Sequence, residues 1–180
     1  MSERYLVPTV ADMRALGQAL AAQLRPGDLV VLAGPLGAGK TVLTQGIGAG
    51  LRVTGAVTSP TFVIARVHQP DRAAGGKIPL VHVDAYRLGG GADPRAEIDD
   101  LDLDASVDES VTVVEWGEGV VEQLADAHLL VRIDRPTGGE DTTGQDEPRQ
   151  VELIGRGGDW TARLADLEMP VGCTRVGASA

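Results

Sequence analysis

The chain has 180 residues, of which 43% are hydrophobic and only 3% aromatic, so Val, Leu, Ile and Ala must fill most of its core. Against 16 basic residues stand 26 acidic ones, and the net charge of −10 repels polyanions, which argues against a direct grip on nucleic acid. Cys173 is the only cysteine, which excludes an internal disulfide; MSERYLVPTV lacks a signal-peptide pattern and no apolar run reaches membrane length, so a cytoplasmic protein with no membrane contact is expected.

Thr9-Val10-Ala11-Asp12 reads as a capping box, and Met13, Leu16, Leu20 and Leu24 recur at helical spacing. An amphipathic helix is therefore expected over 10–25, stopped by Pro26-Gly27-Asp28. Leu29-Val30-Val31-Leu32-Ala33 is a short apolar run between turn residues, which predicts a buried strand. A glycine-rich loop follows, then a helix from about Lys40 to Gly46 whose end Gly46, Gly48 and Gly50 blur. Residues 57–67 read as loop then strand, and residues 78–83 as a second strand after a short Gly-containing turn. A connection that short predicts an antiparallel pair, because a parallel one needs a crossover of about a dozen residues or more.

Residues 94–105 suggest an acidic helix with Ile98 and Leu101 turned inward. Buried strands are expected over 111–114 and 129–133, and a last strand over 151–154. The polar stretch 136–149 is expected to be a mobile loop, and the tail beyond about Met169 to be frayed. The pattern predicts one α/β domain over 1–155, a mixed parallel and antiparallel sheet flanked by helices, followed by an extension over 156–180.

Gly34-Pro35-Leu36-Gly37-Ala38-Gly39-Lys40-Thr41 fits the phosphate-loop pattern G-x-x-x-x-G-K-S/T at every fixed position, with Val42 next in the helix. Glycines let backbone N–H groups turn toward phosphate oxygens, and the helix beginning near Lys40 adds its positive dipole end. Lys40 supplies a charge for the β- and γ-phosphates, and the Thr41 hydroxyl can ligate Mg²⁺. The bland alternative is a glycine turn matching by chance, but the required buried strand before it and helix after it are both present.

Two carboxylates stand at strand ends: Asp84 closes the run 78–83 and Glu115 closes 111–114. If both strands flank the loop strand, both acids emerge at the phosphate end. One then holds the metal, while the other orients the attacking water. The residues alone do not rank them, and either one could instead cap a helix or form a structural ion pair. Ser59-Pro60-Thr61-Phe62 presents a hydroxyl on an ordered loop, where a switch segment would sense the γ-phosphate; an ST-turn with Phe62 in the core is an equal reading. His82, Tyr86 and Arg87 surround Asp84. His82 reads as structural, Arg87 as a finger in cis or an ion pair, and Trp116 as packing under the Glu115 strand or at the nucleotide edge.

Taken in order, GPLGAGKT, SPTF at 59–62, HVDAYRL at 82–88 and VEWGE at 114–118 resemble the bacterial TsaE (YjeE) family. The resemblance implies a small phosphate-loop ATPase that binds ATP or ADP with Mg²⁺. It also implies a role with the TsaD–TsaB pair in making threonylcarbamoyladenosine on tRNAs that read A-starting codons. Carried onto this chain, it implies phosphate and metal roles for Lys40 and Thr41, a second metal ligand in Glu115, and a catalytic acid in Asp84. Thr61 matches the family's switch-like threonine, and Arg149, in Arg-x-Val-Glu, matches a position near the nucleotide. Pro35 and Val42 depart from the common GDLGAGKTT, and Asp102 stands where glycine is common.

Two other function classes compete with a slow ATPase. A small-molecule kinase needs a lid carrying several arginines, whereas the stretch after residue 136 offers Arg149 at its far end and is otherwise acidic or neutral. A GTP switch needs an N/T-K-x-D guanine reader, and none follows Glu115. With a net charge of −10, contact with tRNA is expected through protein partners.

Overall fold

A computed structural model describes residues 2–60, 64–85, 107–116, 118, 126–135 and 147–176. In chain order these form β1 (Ser2–Val7), α1 (Val10–Ala21), β2 (Leu29–Ala33), α2 (Lys40–Leu51), β3 (Ala65–His68), β4 (Leu80–Asp84), β5 (Val111–Glu115), β6 (His128–Asp134), β7 (Arg149–Arg156), α3 (Trp160–Ala165) and β8 (Thr174–Arg175). One mixed sheet runs in the order β3-β4-β5-β2-β6-β7-β1-β8. Its centre, β4-β5-β2-β6, is parallel, and both flanks are antiparallel. The expected α/β class with a mixed sheet is what is found, and β3 pairs antiparallel with β4 as the short connection required.

Every residue of β2, β4 and β5 is buried, which suits the near-continuous apolar runs of central parallel strands. One sheet face packs Val30, Leu32, Leu80 and Val113 against Leu16, Leu20, Leu43 and Ile47 of α1 and α2. The other face carries Val31, Val81, Val83 and Val114 in a separate cluster. Because β2, β4, β5 and β6 run parallel, their carboxyl ends point the same way, the edge at which open α/β sheets bind ligands.

Several boundaries differ from the sequence reading, each for a physical reason. The capping box is present, with Asp12 N–H donating to Thr9 Oγ1 at 3.1 Å. However, α1 ends at Ala21 rather than 25, because Gln23 and Leu24 turn back to the carbonyls of Leu20 and Ala21 in a tighter i→i+3 pattern. Helix α2 runs through its glycines to Leu51. A Cβ on Gly46 would stand 2.2 Å from the Arg14 carbonyl oxygen, and one on Gly17 would stand 2.3 Å from that of Leu43. These glycines let α1 and α2 meet backbone to backbone, so tertiary packing overrides their poor helix propensity.

Strand β1 has no counterpart in the sequence pattern. Its inward residues are Glu3, Tyr5 and Val7, and the acidic member spoils the apolar alternation. Glu3 is satisfied by the Tyr5 hydroxyl and the Arg175 guanidinium. The same ion pair corrects the expected fraying after Met169: β8 pairs with β1, and Val176 N–H donates to the Arg4 carbonyl at 2.8 Å. Residues 156–176 thus add α3, whose Trp160 and Leu164 join the main core, and an edge strand to the same sheet. The expected last strand over 151–154 is the longer β7 and is not the last. The acidic helix over 94–105, Asp102, and the stretch 136–146 lie outside the described residues.

Candidate phosphate and metal site

The loop between β2 and α2 curls at the carboxyl edge of the sheet. At Gly34 φ is 144°, and a Cβ there would lie 2.3 Å from the Ile133 carbonyl oxygen on the adjacent β6, so no side chain fits. Gly39 caps α2 in a left-handed conformation without a side-chain hydrogen bond, which leaves the first-turn amides pointing outward as a helix N-terminus does. Lys40 opens the helix and is 5% exposed. Its Nζ donates to the carbonyls of Gly34 at 2.8 Å and Pro35 at 2.9 Å, and lies 3.7 Å from the centre of the Trp116 ring. Burial pulls the Lys40 ammonium below the ordinary lysine range, and the negative charges of Glu115 and Asp84 oppose that pull only partly.

Thr41 Oγ1 donates to Glu115 Oε1 at 3.0 Å. Glu115 ends β5, and its direct neighbour across the parallel ladder is Asp84 at the end of β4. Both carboxylates are nearly buried, each 3% exposed. Leu36, Gly37, Ala38, Gly39, Lys40, Thr41, Val42, Ser59, Glu115 and Trp116 line an open cleft of about 380 Å³. Hard oxygen donors from a hydroxyl and a carboxylate, side by side at the foot of a phosphate loop, are the donor set that suits Mg²⁺. Trp116 follows Glu115 with φ at 62°, a left-handed value that is costly for a bulky side chain and of the kind that gathers at functional sites.

On the other side of the loop, Thr9, Val10, Met13, Gly37, Ala38, Gly39, Val42, Glu147 and Arg149 surround a smaller hollow of about 90 Å³. Arg149 is held by Glu147, whose carbonyl oxygen it meets at 2.6 Å and whose carboxylate it meets at 3.0 Å. Of the residues singled out by sequence, Gly34, Pro35, Leu36, Gly37, Ala38, Gly39, Lys40, Thr41, Val42, Glu115, Trp116 and Arg149 all gather on this loop, with Asp84 beside Glu115. Thr61, Phe62, Tyr86 and Arg87 lie outside the described residues.

Two further side chains lie close to the site, one read from sequence as structural and one not singled out there. His82 read as merely structural, yet its Nε2 lies 2.8 Å from Glu115 Oε1. The signal was there: alternation along β4 puts His82 on the same face as Asp84. Arg135, one residue past β6, brings Nη2 to within 2.9 Å of where a Cβ of Gly37 would stand. Its place beyond the end of a strand beside β2 was the available clue.

The family model described as threonylcarbamoyl adenosine biosynthesis protein TsaE matches residues 7–143. The tRNA threonylcarbamoyladenosine biosynthesis protein TsaE of Streptomyces coelicolor is 58% identical over 160 residues, covering 89% of this chain and 100% of that protein. The protein of the same name from Mycobacterium tuberculosis is 53% identical over 72% of this chain and 77% of its own length. A crystal structure of Bacillus subtilis YdiB superimposes with a TM-score of 0.69 at 28% identity, covering 93% of this chain and 94% of that one. The chain belongs to the TsaE family.

Proposed function

We propose that this chain binds ATP with Mg²⁺ on the Gly34–Thr41 loop, hydrolyses it slowly, and serves threonylcarbamoyladenosine formation on tRNA by working with a TsaD–TsaB pair. The observation that carries the nucleotide part is the Thr41–Glu115 hydrogen bond at 3.0 Å, at the foot of a cleft that Lys40 also lines. In this reading the loop amides and Lys40 hold the β- and γ-phosphates, and Thr41 and Glu115 hold the metal. Bound Mg²⁺ would neutralise developing charge on the phosphate oxygens. Asp84, next to Glu115 across the ladder, orients the attacking water. The hollow beside Thr9, Val42 and Arg149 suits the base and sugar end of the nucleotide.

The pathway assignment rests on the family, whose name and relatives are those of threonylcarbamoyladenosine biosynthesis. The charge of −10 favours contact with tRNA through partners rather than directly. Among the described residues no helix is long and apolar enough to cross a membrane, in keeping with a place in the cytoplasm beside ATP and tRNA.

Titration calorimetry with ATP, ADP and GTP, each with and without Mg²⁺, tests the nucleotide part. Mg²⁺-dependent binding of ATP that Lys40→Ala abolishes supports the reading. Binding indifferent to Lys40 would sink it.

A further inference from the structure

Resting on the nucleotide and metal reading above, we propose that His82 is a positioning residue that sets the orientation of the Glu115 carboxylate for the metal. His82 sits on β4 with 0% exposure, and its Nε2 lies 2.8 Å from Glu115 Oε1. Thr41 Oγ1 donates to that same oxygen at 3.0 Å. With the carboxylate as acceptor, Nε2 carries the hydrogen and donates it. A glutamate has three side-chain torsions to fix, and two donors converging on one oxygen from different elements, β4 and α2, fix them. Neither bond uses Oε2.

The surroundings make simple space-filling a poor account of this histidine. On the same sheet face it has the wholly buried, apolar Leu80 and Val113 beside it, together with the polar Asp84 further along β4 and Arg66 across on β3. His82 Nδ1 is buried with no hydrogen-bond partner among the described residues, and an unpartnered buried polar atom costs free energy that a leucine would not incur. What the imidazole gains there is the bond to Glu115. Groups that orient a metal-binding carboxylate from behind typically change metal affinity by about 10–100-fold when removed.

The test separates the Nε2 donor from the bulk of the ring. His82→Gln puts an amide nitrogen near the Nε2 position, whereas His82→Asn stops short of Glu115, and both replacements are polar and neutral. In the full chain, ADP affinity is measured in EDTA and then as Mg²⁺ is titrated. The expected result is unchanged ADP affinity in EDTA for every variant. The Asn variant needs about tenfold more Mg²⁺ for half-effect, and the Gln variant stays near the wild type. Should the Asn variant fail to fold, His82→Leu, matched to the apolar neighbours, takes its place with the same expectation. Equal Mg²⁺ requirements in the Gln and donor-less variants overturn the proposal. If the wild type itself shows no Mg²⁺ dependence, the metal reading falls and this inference with it. If the wild type does depend on Mg²⁺ and the variants do not differ, only the positioning role falls.

Discussion

Thr41 Oγ1 meets Glu115 Oε1 at 3.0 Å, which ties the first turn of α2 to the end of β5. Two residues separated by 74 positions in sequence thus meet at the foot of the loop, where the proposed Mg²⁺ would be held. Acting as a unit, they should fail as a unit. Thr41→Ala and Glu115→Ala each lower Mg²⁺-dependent phosphate release by on the order of 100-fold, the scale of losing one transition-state contact. The double variant should be little worse than either single one, because coupled residues are not additive. Strictly additive losses would mean the contact has no joint role.

The buried position of Lys40, proposed to serve a phosphate, is costly to the protein. Burial holds its ammonium below the ordinary lysine range. Between that lowered value and the unfolded 10.5 the unfolded chain binds more protons, so the cost is fully present at neutral pH and lifts as pH rises through that window. Lys40→Met is therefore expected to raise the Tm at pH 7 by a few degrees while abolishing nucleotide binding. The gain in Tm should shrink as the pH is raised. Thermal melts from pH 7 to 10 check both the sign and the trend.

Gly17 and Gly46 hold α1 and α2 at backbone contact. Gly46→Ala forces a Cβ to within 2.2 Å of a carbonyl that cannot swing away, and overpacking of this kind costs about 1–3 kcal/mol. Chemical denaturation should show that loss, with a lower Tm, despite alanine's better helix propensity. A more stable variant would show that the helices slide apart freely.

The buried Glu3, clasped by Tyr5 and Arg175, ties the tail to the first strand. Arg175 is 60% exposed, so Arg175→Ala is expected to cost only about 1 kcal/mol. Burial first, and the Glu3 carboxylate second, push the Tyr5 hydroxyl up to about 12 from 10.0. A raised folded-state value means this contribution is whole below pH 10.0 and is lost as pH climbs through about 12. Tyr5→Phe should flatten that alkaline fall in Tm.

How much of this was legible beforehand follows from where the signal was local. The Gly34–Thr41 loop, β2, β5 and the two strand-end acids are short runs whose pattern lies in neighbouring residues. Their convergence needed only the rule that parallel strands end together. What the sequence concealed was set by distant partners: Glu3 hides β1 because its counter-charge, Arg175, lies 172 positions away. Likewise Gly46 and Gly50 read as breakers until α1 is laid against them, and Gly48 until Val53, Val57 and Leu80 are. The contact of His82 with Glu115 is not legible in the sequence, because the strand carrying Glu115 is remote from it.

The most direct test of the central claim is phosphate release from ATP by the purified chain with Mg²⁺, alone and with the TsaD–TsaB pair and tRNA, comparing wild type with Glu115→Ala. Slow release alone, loss in the variant, and repeated rounds of tRNA modification only when the wild-type chain is present are the predicted results. Phosphorylation of a small metabolite with no effect on the tRNA reaction would contradict the proposed role.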